Sequence, residues 1–149
     1  MAAGGWDTRF NFDGLLTFSS RLNNYVQLFR SGAMEAVDTT LLEPYEPYPN
    51  FVSTSEFEKR VTSAVLRYIE FLKKLGLVPP VFVMVTLLGV KGFKATTGPR
   101  TFSAHSIDRD TLILPDVMIE SYESSVGPIL KPIFDTVAQS AGLSESNDS

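Results

Sequence analysis

One loop gathers the residue types that acid–base chemistry needs. His105, the only histidine in the 149-residue chain, is followed closely by Asp108, Arg109 and Asp110. An imidazole near carboxylates can move a proton, and a guanidinium can clamp an anionic oxygen. If a strand begins at Thr111, Asp108 and Asp110 share one of its faces and Arg109 points the other way. Two carboxylates on one face can hold Mg²⁺, the hard-ligand half of a nuclease site. His105, Asp108, Arg109 and Asp110 are therefore the candidate catalytic residues, with Asp108 and Asp110 the candidate metal ligands. The same residues also build a plain loop, closed by aspartate–backbone hydrogen bonds and an Arg–Asp pair. Ion-pair networks of that kind imitate active sites, and the plain loop is the preferred reading.

The turn before this loop, Gly89-Val90-Lys91-Gly92, has glycines that could let a phosphate approach. It lacks the longer glycine spacing and the Gly-Lys-Ser/Thr ending of a P-loop, and it follows a strand instead of joining two helices as a KH-type loop does. A β-turn or bulge is the simpler assignment. Lys91, Lys94 and Arg100 lie around this turn and loop near Phe93 and Phe102; if they cluster in space, they form a basic patch with aromatic neighbours suited to phosphate or an acidic protein face. They are the candidate partner-binding residues. With one histidine and no cysteine, neither a histidine-rich metal site nor a thiolate nucleophile can be built. No G-x-S-x-G elbow, HExxH motif or dinucleotide fingerprint occurs, and no cofactor is expected.

The net charge of −4 is unevenly spread. Residues 1–70 carry nine acids and six bases, residues 71–107 five bases and no acid, and residues 108–149 eight acids and two bases. So acidic a chain is a poor candidate for autonomous tight DNA binding. Self-association or a protein partner is expected, with nucleic acid bound weakly and non-specifically. The longest apolar stretch, Leu77 to Val90, is interrupted by Pro79-Pro80 and falls short of the roughly 20 residues a bilayer requires, so no membrane contact is expected. The opening Met1-Ala-Ala-Gly-Gly-Trp6 is not patterned as a signal peptide and reads as a clipped start, as in a fragment of something longer. Lack of cysteine fits a cytoplasmic home.

The elements that must position these residues follow from local pattern. Arg9 to Phe18 reads as two short strands about Asp13-Gly14, and Tyr25–Arg30 with Ala33–Leu42 as a hairpin about Ser31-Gly32. Residues 43–52, with Pro44, Pro47 and Pro49 interleaved by Tyr45 and Tyr48, form an extended connection. Ser53 and Glu56 make a capping box, and Phe57, Val61, Ala64, Val65, Tyr68, Leu72 and Leu75 give a helical stripe ending at Gly76. Val81 to Val90, apolar on both faces, predicts a central strand covered on both sides, with the helix packed on its sheet. Phe93–Thr97, Thr111–Leu114 and Val117–Glu120 are β-like, with Pro115 marking an edge or a break. A second helix is predicted from Ser125 to about Ala141, ended by Gly142. The order is three strands, a helix, two or three strands, a helix: an α+β fold, mostly antiparallel, over one domain at 9–142 with flexible ends at 1–8 and 143–149.

Three phrases and a helix carry a resemblance. They are Tyr25-Val26-Gln27-Leu28-Phe29-Arg30-Ser31-Gly32 with Glu35-Ala36-Val37, Pro79-Pro80-Val81-Phe82-Val83 with Leu87-Leu88-Gly89-Val90-Lys91-Gly92, and Ile107-Asp108-Arg109-Asp110 with Leu114-Pro115-Asp116-Val117. Together with Leu130-Lys131-Pro132-Ile133-Phe134-Asp135 they resemble the C-terminal region of bacterial Schlafen/Alba-type DNA-binding proteins, often labelled ATP-binding, over most of residues 10–141. The N-terminal Alba-type domain has no counterpart in these residues, so none of its functional residues carries over. Set beside this resemblance, the absence of a strong catalytic constellation favours a non-enzymatic assembly or partner-binding module of a nucleic-acid-associated protein. The alternatives are an Mg²⁺-dependent nucleic-acid phosphodiesterase and a small-ligand sensor.

Overall fold

The computed structural model describes residues 5–19, 21, 23–44, 47, 50–98, 101–144 and 146. The fold is α+β, and the chain divides into two compact units, Met1–Glu43 and Pro44–Ser149. The division falls in the proline-rich connection; Tyr45 and Tyr48 lie outside the described residues.

The first unit is a four-stranded antiparallel meander: β1 (Asp7–Phe10), β2 (Gly14–Ser19), β3 (Asn24–Phe29) and β4 (Met34–Val37). Its first turn is an Asx turn, Asn11 Oδ1 accepting from the Asp13 and Gly14 amides at 3.1 and 2.9 Å. Gly14 has φ +149°, and a Cβ there would overlap the Leu28 carbonyl oxygen on the neighbouring strand. Only glycine lets β2 and β3 approach so closely. The Ser31-Gly32 hairpin forms as its sequence predicts, with Gly32 at φ +90°.

The second unit holds both helices. Ser53 closes β5 (Phe51–Ser53) and caps α1 (Thr54–Lys74), its Oγ accepting from the Glu56 amide at 3.2 Å. Past Leu75 the chain turns left-handed at Gly76, and the Leu77 and Gly76 amides return to the Leu72 and Lys73 carbonyls. That is a Schellman stop, placed where the glycine predicts it. The later helix, α2 (Val126–Ser140), ends in the same way at Gly142, whose partner amide on Leu143 reaches the Ala138 carbonyl. Pro132 sits inside α2 without an N–H to donate, and Thr136 Oγ1 donates to its carbonyl at 2.7 Å.

Between the helices lie β6 (Val81–Val83), β7 (Thr86–Leu88), β8 (Lys94–Gly98), β9 (Thr101–Phe102), β10 (Thr111–Ile113) and β11 (Val117–Ile119). Here the structure corrects the expected central strand. Residues 81–88 pair on one side only, β6 with β11 and β7 with β10, as a two-stranded ribbon. Val81–Val83 face Ile119–Val117 and Thr86–Leu88 face Ile113–Thr111, so residues 84–85 stand opposite residues 114–116. The extra residue is a bulge at Pro115, which has no amide for the ladder, while Leu114 N still donates to Val85 O at 3.1 Å. The bulge resets the alternation. Leu112 and Leu114 before it, and Val117 and Ile119 after it, all become buried.

The helix α1 is not laid on that strand either. It packs against α2, Phe57 meeting Phe134 edge to face at 5.8 Å and 84°, and against β5 and β8. The ribbon's inner face is covered by α2, which lies on β11. β5 pairs in parallel with β8, and β9 pairs antiparallel beyond it, a small sheet absent from the local pattern. Leu130, Ile133, Val137 and Ala138 along α2 are essentially inaccessible and, with Phe57, Ile107 and Ile119, form the centre of this unit. No helix among the described residues is long and apolar enough to cross a membrane.

Candidate functional site

The 103–110 loop is held from behind by its backbone. Ile107 N donates to Phe93 O at 2.8 Å, Gly92 N to Ile107 O at 2.8 Å, and Val90 N to Asp110 O at 3.0 Å. Ser103 Oγ donates to the His105 carbonyl at 2.8 Å and accepts from the Ala95 amide at 3.0 Å. These bonds drive Ile107 into the core and turn His105, Asp108, Arg109 and Asp110 outward to solvent. The His105 ring lies against the glycine that ends α2: a Cβ on Gly142 would stand 2.7 Å from His105 Cδ2. Asp108 and Arg109 meet at 3.4 Å with side chains 83% and 68% exposed, a contact that water screens almost completely. Among the described residues, no three histidine, aspartate or glutamate side chains are grouped to hold a metal ion. The loop thus presents its chemistry-bearing groups without enclosing them.

Lys91 and Lys94 are also exposed, the first in the turn after Val90 and the second opening β8 beside Phe51. Phe93 is half-buried between them, and Phe102 packs edge to face on Phe51 at 5.9 Å. Arg100 lies outside the described residues.

One face of the first unit's sheet forms a shallow open cleft of about 470 Å³, bordered by Arg9, Phe18, Tyr25, Gln27, Phe29 and Glu35, among others. Its polar groups are engaged with one another. Arg9 lies 5.1 Å over the Phe18 ring. Tyr25 donates to Glu35 Oε1 at 2.6 Å, and this bond, then desolvation, then the carboxylate's charge raise the phenol above its ordinary pKa of 10.0. Buried Gln27 accepts from Asn11 Nδ2 at 2.7 Å and donates to the Leu28 carbonyl at 3.1 Å.

The outer face of the ribbon is different. Phe82 is 60% exposed, Met84 70%, Leu88 68%, Ile113 80% and Met118 41%. Phe82 stands opposite Met118, and Ile113 and Leu88 stand opposite Thr86 and Thr111, both exposed. Even-numbered positions from 82 to 88 thus form one row, with 111, 113 and 118 beside it; these seven side chains are uncharged, while exposed Asp116, opposite position 84, puts one carboxylate among them. An outward sheet face ordinarily carries charged and polar groups, and a contiguous apolar one marks a contact surface. Comparison with family models, curated proteins and solved structures finds no match. The Schlafen/Alba-type resemblance accordingly rests on the quoted sequence phrases.

Sequence reasoning placed Val81–Val90 at the centre of a sheet and so missed this surface. The available signal was Pro115 in the facing strand, with only Asp116 between it and the next apolar run. It marks a ribbon too short and too irregular to sit between other strands.

Proposed function

We propose that this chain is a non-enzymatic protein-binding module whose docking surface is the outer face of the β6–β7/β10–β11 ribbon. The apolar row of Phe82, Met84, Leu88, Ile113 and Met118, left to water on a ribbon whose other face is packed, carries this reading. Large flexible and aromatic side chains of this kind supply most of the binding energy at protein interfaces. The exposed 105–110 loop supports the non-enzymatic side of the reading, because an acid–base pair needs enclosure to be tuned and aimed. The Schlafen/Alba-type resemblance supplies the setting, a part of a nucleic-acid-associated assembly.

The test is a double charge substitution, Phe82→Lys with Ile113→Lys, compared with wild type for the partners that co-purify at fixed salt. These sites face water, so the fold should survive, as circular dichroism and the melting midpoint would report. Loss of the co-purifying partners is expected. An unchanged set of partners would overturn the reading. So would Mg²⁺-dependent cleavage of nucleic acid that disappears in a folded Asp108→Asn protein.

A further inference from the structure

We infer that the outer edge of β1 pairs antiparallel with the same edge of a second copy, so that the sheet of the first unit continues into its counterpart. This surface belongs to the other unit from the ribbon and does not depend on the ribbon's role. β1 ends its sheet, and Asp7–Phe10 are exposed throughout. Asn11 N donates to Gly14 O at 2.9 Å, and the register then runs unbroken from Phe10↔Leu15 to Asp7↔Phe18. Antiparallel ladders alternate, so Arg9 and Asp7 turn their main-chain groups to β2, while Phe10 and Thr8 direct theirs away from it. The Thr8 and Thr17 hydroxyls, 3.2 Å apart, fit the closer, non-hydrogen-bonded kind of pair. Open N–H and C=O groups along an edge are a template for another strand, and neither proline, lysine nor a bulge blunts this one.

The charges choose the partner. Asp7 and Arg9 stand two apart on one face, and among the described residues neither joins an ion pair; Arg9 rests on the Phe18 ring. Two copies can bond edge to edge only where outward residues meet outward residues. With Thr8 opposite Thr8 of the second copy, Asp7 of each copy faces Arg9 of the other. The neighbouring registers set Asp7 against Asp7 or Arg9 against Arg9. Directly opposite side chains lie about 5 Å apart and diagonal ones about 7–8 Å, so attraction wins in the first register and repulsion in the others. On the other face, Trp6 of one copy meets Phe10 of the other, which is 81% exposed. It thereby extends the uncharged row Phe10–Leu15–Leu28–Met34. Trp6-Asp7-Thr8-Arg9-Phe10 is thus complementary to its own reverse about Thr8, which singles out a second copy. The far edge of the sheet, β4, has no such register, since residues 34–38 hold Glu35 and Asp38 and no cation. Contact of this kind uses one edge twice and closes at two subunits. Main-chain bonds supply the affinity, and the exposed ion pairs, weak in themselves, fix the register.

Sedimentation of the full chain from about 1 µM to about 1 mM should show the average mass rising from one copy towards two. Arg9→Asp and Asp7→Arg each leave one sign on the edge, and each should raise the dissociation constant about tenfold or more. An equimolar mixture of these two proteins should associate about tenfold more tightly than either by itself. The exchange of both residues, Asp7→Arg with Arg9→Asp, restores the match and should return the constant to within about threefold of wild type. Both sites face water, so the fold should survive, as circular dichroism would report. Wild type gives an independent reading: the Thr8 and Phe10 amides, followed by nuclear magnetic resonance, should exchange with solvent more slowly in the concentrated sample than in the dilute one.

A monomer at every concentration would overturn the inference, as would Thr8 and Phe10 amides that exchange at one rate throughout. An association left undiminished in the folded Arg9→Asp and Asp7→Arg proteins would place the contact elsewhere and overturn it as well. So would a failure of those two proteins, both folded, to pair with each other. None of these results bears on the ribbon, whose own test is Phe82→Lys with Ile113→Lys.

Discussion

Asp135 shows how a single side chain ties the end of the chain to the fold. Its Oδ1 accepts from Ser146 Oγ at 2.6 Å and from Ser146 N at 2.9 Å, while Lys131 Nζ lies at 3.0 Å one turn back along α2. The two Ser146 donors, helped by Lys131, hold the carboxyl down from 3.8 to about 2. Hydrogen bonds to the charged form favour it, so folding gains from ionised Asp135 above the unfolded pKa and loses that gain as pH falls through the folded one. The melting midpoint of wild type should therefore exceed that of Asp135→Asn above about pH 5, with the difference shrinking below about pH 4 and lost only below about pH 2. A difference that persists at the acid limit would show that the carboxylate's charge is not its source. In the sequence this tail reads only as polar, because nothing local announces that Ser146 will meet a residue eleven positions earlier. His105 is similar: its type suggests a base, and its place is beside the Cα of Gly142.

Among the elements, the ribbon depends on its bulge. With Pro115 present, strict alternation from Leu114 would send Val117 and Ile119 outward; the extra residue turns them back into the core. Removing Pro115 leaves a strand in which Leu112, Leu114, Val117 and Ile119 face inward by simple alternation, opposite an unbroken 81–88. Deletion of Pro115 is therefore expected to change unfolding free energy by no more than about 1 kcal/mol in urea denaturation. Deletion of Ile113, by contrast, must put a buried leucine into water and should cost about 2 kcal/mol or more. Equal losses in the two proteins would refute the bulge as the device that sets the alternation. The helices were more legible. Ser53 and Gly76, Ser125 and Gly142 bracket them, and the bonds that start and stop a helix span only a few residues.

At the scale of the whole molecule, charge and apolar surface lead to different partners. Lys91 and Lys94 are exposed within the acid-free stretch, yet the chain as a whole is at −4. A few lysines release few counterions, so affinity for nucleic acid should be slight and salt-sensitive. Fluorescence anisotropy of a labelled single-stranded oligonucleotide should show weak binding at about 20 mM salt, none at about 200 mM, and less still after Lys91→Glu with Lys94→Glu. Tight binding that survives the higher salt, or that depends on oligonucleotide sequence, would make nucleic acid the principal ligand. Contact through the ribbon's apolar side chains depends far less on salt of this order, so the two surfaces can be told apart in one titration series.

What the sequence by itself determined is what neighbours along the chain decide: the two capped helices, the Asp13-Gly14 and Ser31-Gly32 turns, and the α+β class they add up to. Each rests on hydrogen bonds and backbone angles within a few residues, where residue type sets the outcome. Tertiary structure alone decided which strands meet. β5 and β8 pair in parallel across more than forty residues, with Thr54 Oγ1 donating to the Thr96 carbonyl at 2.9 Å to hold the junction. Nothing in Phe51-Val52-Ser53 specifies that partner. The same holds for Val81–Val90. Its pattern shows that both faces can be buried, but a strand covered by its own chain and one left open to another molecule are written with the same apolar residues. Only the position of Pro115 opposite it, and of α2 on one side, leaves Phe82, Met84 and Leu88 in water.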